Sequence, residues 1–129
     1  MIQAKELRIG NVIEANTPPM IVQAINKDSV ELYMPGSEAD NFEEDLEKCN
    51  GIPLTPEILE KCGFEWDIFW QRFADKRGRY YLQEANDSGY NIFNGKWKQQ
   101  INWMKSLEYL HQLQNLYFAL TGEELTVKL

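Results

Sequence analysis

Residues 106–121 constrain this chain more than any other stretch. Leu107, Leu110, Leu113, Leu116, Tyr117 and Leu120 fall at i, i+3 and i+4 spacing, the mark of a helix with one apolar face. Ser106 stands where a helix start is capped, and Gly122 stands where a left-handed residue stops one. The apolar stripe is wide, so the helix has to lie on something. Almost everything upstream reads as strand, so the fold class is α+β and the helix is expected to cover a sheet.

Turn residues cut the upstream chain into short strands. Leu7 and Ile9 share a parity, Gly10-Asn11 punctuates, and Val12-Ile13 begins a strand. Asn16-Thr-Pro-Pro19 reads as a turn, 20–24 as a second strand, 26–29 as a turn and 30–34 as a third strand. Three such strands form an N-terminal antiparallel meander that cannot stand as a lone flat sheet. The expected form is small and strongly twisted, with an SH3-like barrel as its closed version. Thr55 as N-cap, Pro56 at the first helical position and Gly63 past the end predict a short helix over 56–62.

A second antiparallel sheet is expected over 64–104. Phe64, Trp66, Ile68, Trp70 and Arg72 lie on one parity; 75–78 and 86–89 are turns, and Asn94-Gly95 is a hairpin signal. Residues 96–104, with Trp97, Ile101, Trp103 and Met104, read as its last strand. The helix over 106–121 is expected to pack on this second sheet, and 125–129 to close the chain as an edge strand. No repeat or linker interrupts the 129 residues, so the expectation is a single domain over 1–129.

Four Trp, six Tyr and six Phe provide bulk for a core. No apolar run approaches the roughly 20 residues of a membrane span. The first residues lack the charged-then-apolar pattern of a secretory signal, so a cytoplasmic protein without membrane attachment is expected. In that compartment Cys49 and Cys62 are expected as free thiols. The net charge of −7 is uneven: residues 1–65 carry 5 basic and 13 acidic side chains, residues 66–129 carry 8 and 7. The acidic half disfavours nucleic acid and anionic lipid and suits a basic partner.

Nothing in the sequence spells out chemistry. His111, the one histidine, sits inside the helix and is read as structural. Neither cysteine lies in a nucleophile signature, and no phosphate-cradling or metal-binding motif occurs. No enzymatic activity, cofactor or metal is therefore expected. The acidic run from Glu38 to Glu47 lacks the alternating ligands of a calcium loop and reads as a wet surface.

Two surfaces remain as candidates. One is a protein-partner surface made of Tyr109, Tyr117 and Phe118 on the helix with Glu43, Glu44 and Asp45 in the acidic run; it leaves room for a homo-oligomer. The alternative is a nucleic-acid surface on the aromatic and basic hairpin 66–81, with Trp70, Arg72, Lys76, Arg77, Arg79 and Tyr81 stacking bases and holding phosphates.

Three stretches carry a resemblance: Glu6-Leu-Arg-Ile-Gly-Asn-Val12, then Gly51-Ile-Pro-Leu-Thr-Pro-Glu-Ile-Leu-Glu-Lys-Cys-Gly-Phe64, and His111-Gln-Leu-Gln-Asn-Leu-Tyr-Phe-Ala-Leu-Thr-Gly-Glu-Glu-Leu-Thr126. Together they resemble a family of small uncharacterised proteins of Bacteroides-type gut bacteria and their phages or mobile elements. The resemblance spans most of the chain and is weakest over 36–48 and 72–100. It implies a context, a bacterial cytoplasm or a phage-infected cell, and brings no catalytic residues with it. The leading expectation is a non-enzymatic interaction or accessory protein.

Overall fold

The computed structural model describes residues 2–15, 17–86, 88–96, 99–102 and 105–129. Its elements are strands β1 (Val12–Ala15), β2 (Thr17–Ile25), β3 (Ser29–Tyr33), β4 (Phe42–Asp45) and β5 (Cys49–Asn50), helix α1 (Pro56–Lys61), strands β6 (Glu65–Asp67), β7 (Arg72–Ala74), β8 (Tyr80–Glu84) and β9 (Tyr90–Asn94), and helix α2 (Leu110–Thr121). The chain divides into two compact units, one of residues 1–52 with 109–124 and 129, the other of 53–108 with 125–128. The fold is α+β, with two antiparallel sheets, a short helix and a C-terminal helix.

The first unit holds a five-stranded sheet in the order β4-β3-β2-β1-β5. Its two edges are joined by a single 3-10 turn, Leu46–Lys48. In a flat sheet those edges would stand about 19 Å apart, at about 4.8 Å per strand. A three-residue 3-10 turn rises only about 6 Å. The sheet must therefore curl, and it forms the half-barrel that a twisted meander was expected to give. Register shifts at Glu14/Ala15 and Val22/Ala24 supply the bend, since a bulge kinks its strand. Ile13, Ala15, Met20, Val22, Val30, Leu32, Leu46 and Cys49 fill the concave side, together with Ile2 and Leu7.

Two local expectations change here. Pro18 and Pro19 lie within β2 rather than in a turn, with Pro19 opposite Glu14 beside the bulge. A proline is tolerated there because the ladder is already interrupted. The acidic run, read as a solvated loop or short helical turn, is largely exposed and ends in the 3-10 turn Leu46–Lys48, but Phe42–Asp45 within it is the edge strand β4.

Helix α2 belongs to this first unit and packs on β1, which corrects its assignment to the second sheet. It also begins four residues later than its apolar spacing indicates. Leu107 pairs with Tyr90 as an isolated bridge, with amide–carbonyl distances of 2.7 and 2.8 Å, and is held extended. Ser106 donates its hydroxyl hydrogen to the Ser88 carbonyl (2.6 Å) instead of capping a helix. Tyr109 becomes the N-cap, and Gln112 reaches back to accept from its amide at 3.1 Å. Gly122 stops the helix at φ 73°, as its position foretold.

In the second unit α1 follows its local signals: Thr55 Oγ1 accepts from the Ile58 amide at 3.2 Å, Pro56 opens the helix, and Gly63 adopts φ 87°. The four-stranded sheet runs β6-β7-β8-β9. Phe73, Leu82 and Ile92 share one buried face through consecutive cross-strand pairs. Beyond β9 the described part of the expected last strand is an irregular segment. It still covers that edge, through Asn94 N to Gln99 O (2.8 Å) and Ile101 N to Ile92 O (2.8 Å). Asn102 stands in for a ladder rung, accepting from the Ile92 amide at 2.8 Å. Trp97, Trp103 and Met104, named above for that strand, lie outside the described residues. Residues 125–129 form no strand; one bond, Lys128 N to Lys61 O (2.8 Å), ties them to the second unit.

Candidate binding surface

The residues singled out on the helix do not make an open face. Tyr117 is buried. A Cβ on Gly51 would fall 2.7 Å from the Tyr109 ring, so that ring lies directly against the Gly51 backbone. Phe118 carries the Arg8 guanidinium over its ring at 4.2 Å. Glu43 and Asp45 are exposed on the edge strand β4, while Glu44, paired with Val30, shares the face of that core residue and meets Lys48 at 3.9 Å.

Residues 6–12 and α2 meet in a polar tie on the approach to β1. Gln114 Oε1 accepts from the Val12 amide (2.8 Å), and Gln114 Nε2 donates to the Gly10 carbonyl (3.2 Å). Asn115 Oδ1 accepts from Asn11 Nδ2 (2.8 Å) and Arg8 Nη1 (2.9 Å), and Asn115 Nδ2 donates to the Glu6 carbonyl (2.8 Å). Arg8 also pairs with Glu124. Each buried polar group here has a partner, which is the condition for such a network to stabilise a fold.

His111 lies next to the tie, 1% exposed, with Glu6 Oε1 3.7 Å from Nε2 and the Tyr109 ring stacked at 5.9 Å. That distance is too long for a hydrogen bond, and neither ring nitrogen has a partner among the described residues. Burial lowers its pKa from the ordinary value, with the Glu6 carboxylate opposing part of the shift. Burial likewise pushes the Cys49 thiol up to about 11, with Glu44 and Asp45 adding to it, and the Cys62 thiol up to about 12. Both are free thiols and protonated near neutral pH. Among the described residues no three His, Cys, Asp or Glu side chains gather where a metal could be held. Among the described residues no helix is long and apolar enough to cross a membrane.

The exposed chemistry gathers on the second unit. The parity that suggested one strand over 64–72 is broken by a four-residue turn, Ile68 to Gln71, between β6 and β7. Asp67 Oδ1 accepts from the Phe69 amide (2.9 Å) and the Trp70 amide (3.2 Å), which winds the turn. Gln71 closes it at φ 53°, the one non-glycine with positive φ among the described residues. The turn lifts Ile68 (82% exposed), Phe69 (79%) and Trp70 (45%) to the surface beside Trp66 (53%). Phe69 and Trp70 meet edge to face at 5.1 Å, and Trp66 leans on Phe73 at 5.0 Å. Four large apolar side chains are thus exposed within five residues, 66 to 70.

The nucleic-acid candidates divide between two ends of the sheet. Trp70, Arg72 and Tyr81 come together, with the Arg72 guanidinium carbon 5.5 Å from the Trp70 ring, 5.3 Å from Tyr81 and 5.4 Å from Phe93. Lys76, Arg77 and Arg79 belong to the β7–β8 turn, at the opposite end of β7. Arg79 there pairs with the buried Asp75, Nε to Oδ2, at 3.6 Å. Lys96 follows β9 at that same end, and the five residues Arg79, Tyr80, Asn94, Gly95 and Lys96 line a cleft of about 320 Å³ with Gly78. The hairpin 66–81 was expected as an aromatic and basic surface, but not the turn at 68–71, because strand alternation looks the same whether the side chains are buried or capping a turn; Asp67, two residues before Phe69, was the legible hint. No protein-family model, no curated protein and no solved structure matches the chain.

Proposed function

We propose that this chain is a non-enzymatic interaction protein that docks a protein partner through the β6–β7 tip. Its setting would be the cytoplasm of a bacterium and, as the resemblance implies, a phage or mobile element. The observation that carries the reading is the tip itself: four large apolar side chains, Trp66, Ile68, Phe69 and Trp70, are held out in water by a turn with its own internal hydrogen bonds. Isolated exposed apolar residues are ordinary, but four large ones clustered within five residues favour a contact surface. Trp in particular is enriched among residues that dominate binding. Ile68, the most exposed of them, has no π-face on which a base could stack, which favours a protein over nucleic acid.

The second reading, nucleic-acid binding, is favoured by the basic end with Lys76, Arg77, Arg79 and Lys96. One experiment separates the two. Tagged wild type and an Ile68→Asp/Phe69→Asp variant are used as bait in host lysate, washed at low and then moderate salt, with and without nuclease. The expected result is a stoichiometric protein partner that survives salt and nuclease and is lost with the variant. Capture that needs nucleic acid, falls steeply with salt and disappears with Arg77→Glu overturns this reading in favour of the second.

A further inference from the structure

Arg72 occupies an unusual position for a charged group. It is half-buried on β7, ringed by Trp70, Tyr81 and Phe93, and its Nε is shut off from water without a hydrogen-bond acceptor. Among the described residues its guanidinium has no carboxylate partner. The acid directly across the ladder, Asp67, spends Oδ1 on the Phe69 and Trp70 amides instead. Ring faces attract a guanidinium only modestly. An unpaired donor removed from water costs about as much or more, particularly on a charged group. The rings flank the guanidinium and leave its Nε–H unmet, at the foot of an apolar tip.

We propose that Arg72 is the anchor of a carboxylate-binding site, filled by an acidic side chain or terminal carboxylate of the protein segment that seats on Ile68, Phe69 and Trp70. The source of the carboxylate rests on the docking reading given above; the site itself rests on the geometry of Arg72. Arginine suits this task because its planar fork matches a carboxylate with two parallel hydrogen bonds, which a lysine cannot reproduce. Aromatic walls around the pair exclude water and strengthen it. A partner segment combining an acid with neighbouring apolar residues would satisfy the tip and the guanidinium together, and a purely acidic or purely apolar segment would satisfy only one.

The test uses 3-phenylpropionate as the probe, its neutral amide as the matched control, and inorganic phosphate and a short oligothymidylate as rival anions. The readouts are the Arg72 side-chain Nε–H resonance and the Trp indole N–H resonances of the full chain. The expected result is a saturable shift of the Arg72 signal and an indole signal by the acid, with the amide at least about tenfold weaker. Arg72→Lys, which keeps the charge, is expected to weaken the acid by a similar factor while leaving the rest of the spectrum folded. Equal binding of acid and amide, or an Arg72 signal that answers only to phosphate or oligothymidylate, overturns the proposal. The two readings fail separately. Full partner capture by Arg72→Lys with no acid response in wild type sinks the carboxylate site and leaves the tip. An intact acid response in the Ile68→Asp/Phe69→Asp variant, with partner capture also intact, keeps the site and sinks the tip.

Discussion

At the scale of single residues, His111 gives the cleanest prediction, because it is the one histidine in the chain. Burial lowers its folded-state pKa below the ordinary 6.5, so the unfolded chain takes up the proton first as pH falls. Stability is therefore complete above the unfolded value and declines as pH drops below about 6.5, with a slope of at most about 1.4 kcal/mol per pH unit. Urea midpoints measured from pH 7.5 down to 5.5 should fall for wild type and stay level for His111→Gln. A midpoint that rises over that range would mean the charged form is the favoured one, through Glu6. Gln71 offers a second test. Its left-handed backbone costs a non-glycine about 1–2 kcal/mol, part of which glycine returns as extra unfolded-state entropy. Gln71→Gly is expected to raise stability by about 0.5–1 kcal/mol in denaturant melts without loss of partner capture. The thiols make a third: with Cys49 at about 11 and Cys62 at about 12, both buried, a thiol reagent at pH 8 should label native protein far more slowly than unfolded protein.

At the scale of elements, the ends of helices divide into those the chain spells out locally and those it does not. Thr55, Pro56 and Gly63 place α1 within a residue, and Gly122 ends α2 where the sequence indicates, because each acts on its own few neighbours. The start of α2 was not legible, since Leu107 is claimed by Tyr90, 17 positions earlier in the chain. The tie between α2 and β1 is also invisible to periodicity: Gln114 and Asn115 look like the wet face of a helix, yet Gln114 is buried and bonds both Gly10 and Val12. Gln114→Leu should then cost about 1–3 kcal/mol in equilibrium unfolding, because it strands the Val12 amide and the Gly10 carbonyl. An exposed helix position, by contrast, would change by less than about 0.5 kcal/mol.

At the scale of the whole molecule, acidic charge is concentrated in the first unit. The edge strand β4 of the first unit carries Glu43, Glu44 and Asp45, and Glu44 points toward the core side at the rim, opposite Val30. A charge facing inward on an edge strand discourages another chain from pairing there. Glu44→Val is expected to keep the fold but to increase self-association, read as a rise in sedimentation coefficient with concentration. Taken by itself, the sequence determined the fold class, the first three strands of the first sheet, α1 and the end of α2. These rest on residues that act over a turn or less. Tertiary structure alone decided that α2 serves the first unit, that the first sheet curls far enough for one 3-10 turn to join its edges, and that Trp66, Ile68, Phe69 and Trp70 face water. The reason is physical: alternation and periodicity say which side chains share a face, but whether that face is covered depends on strands and helices brought together from distant parts of the chain.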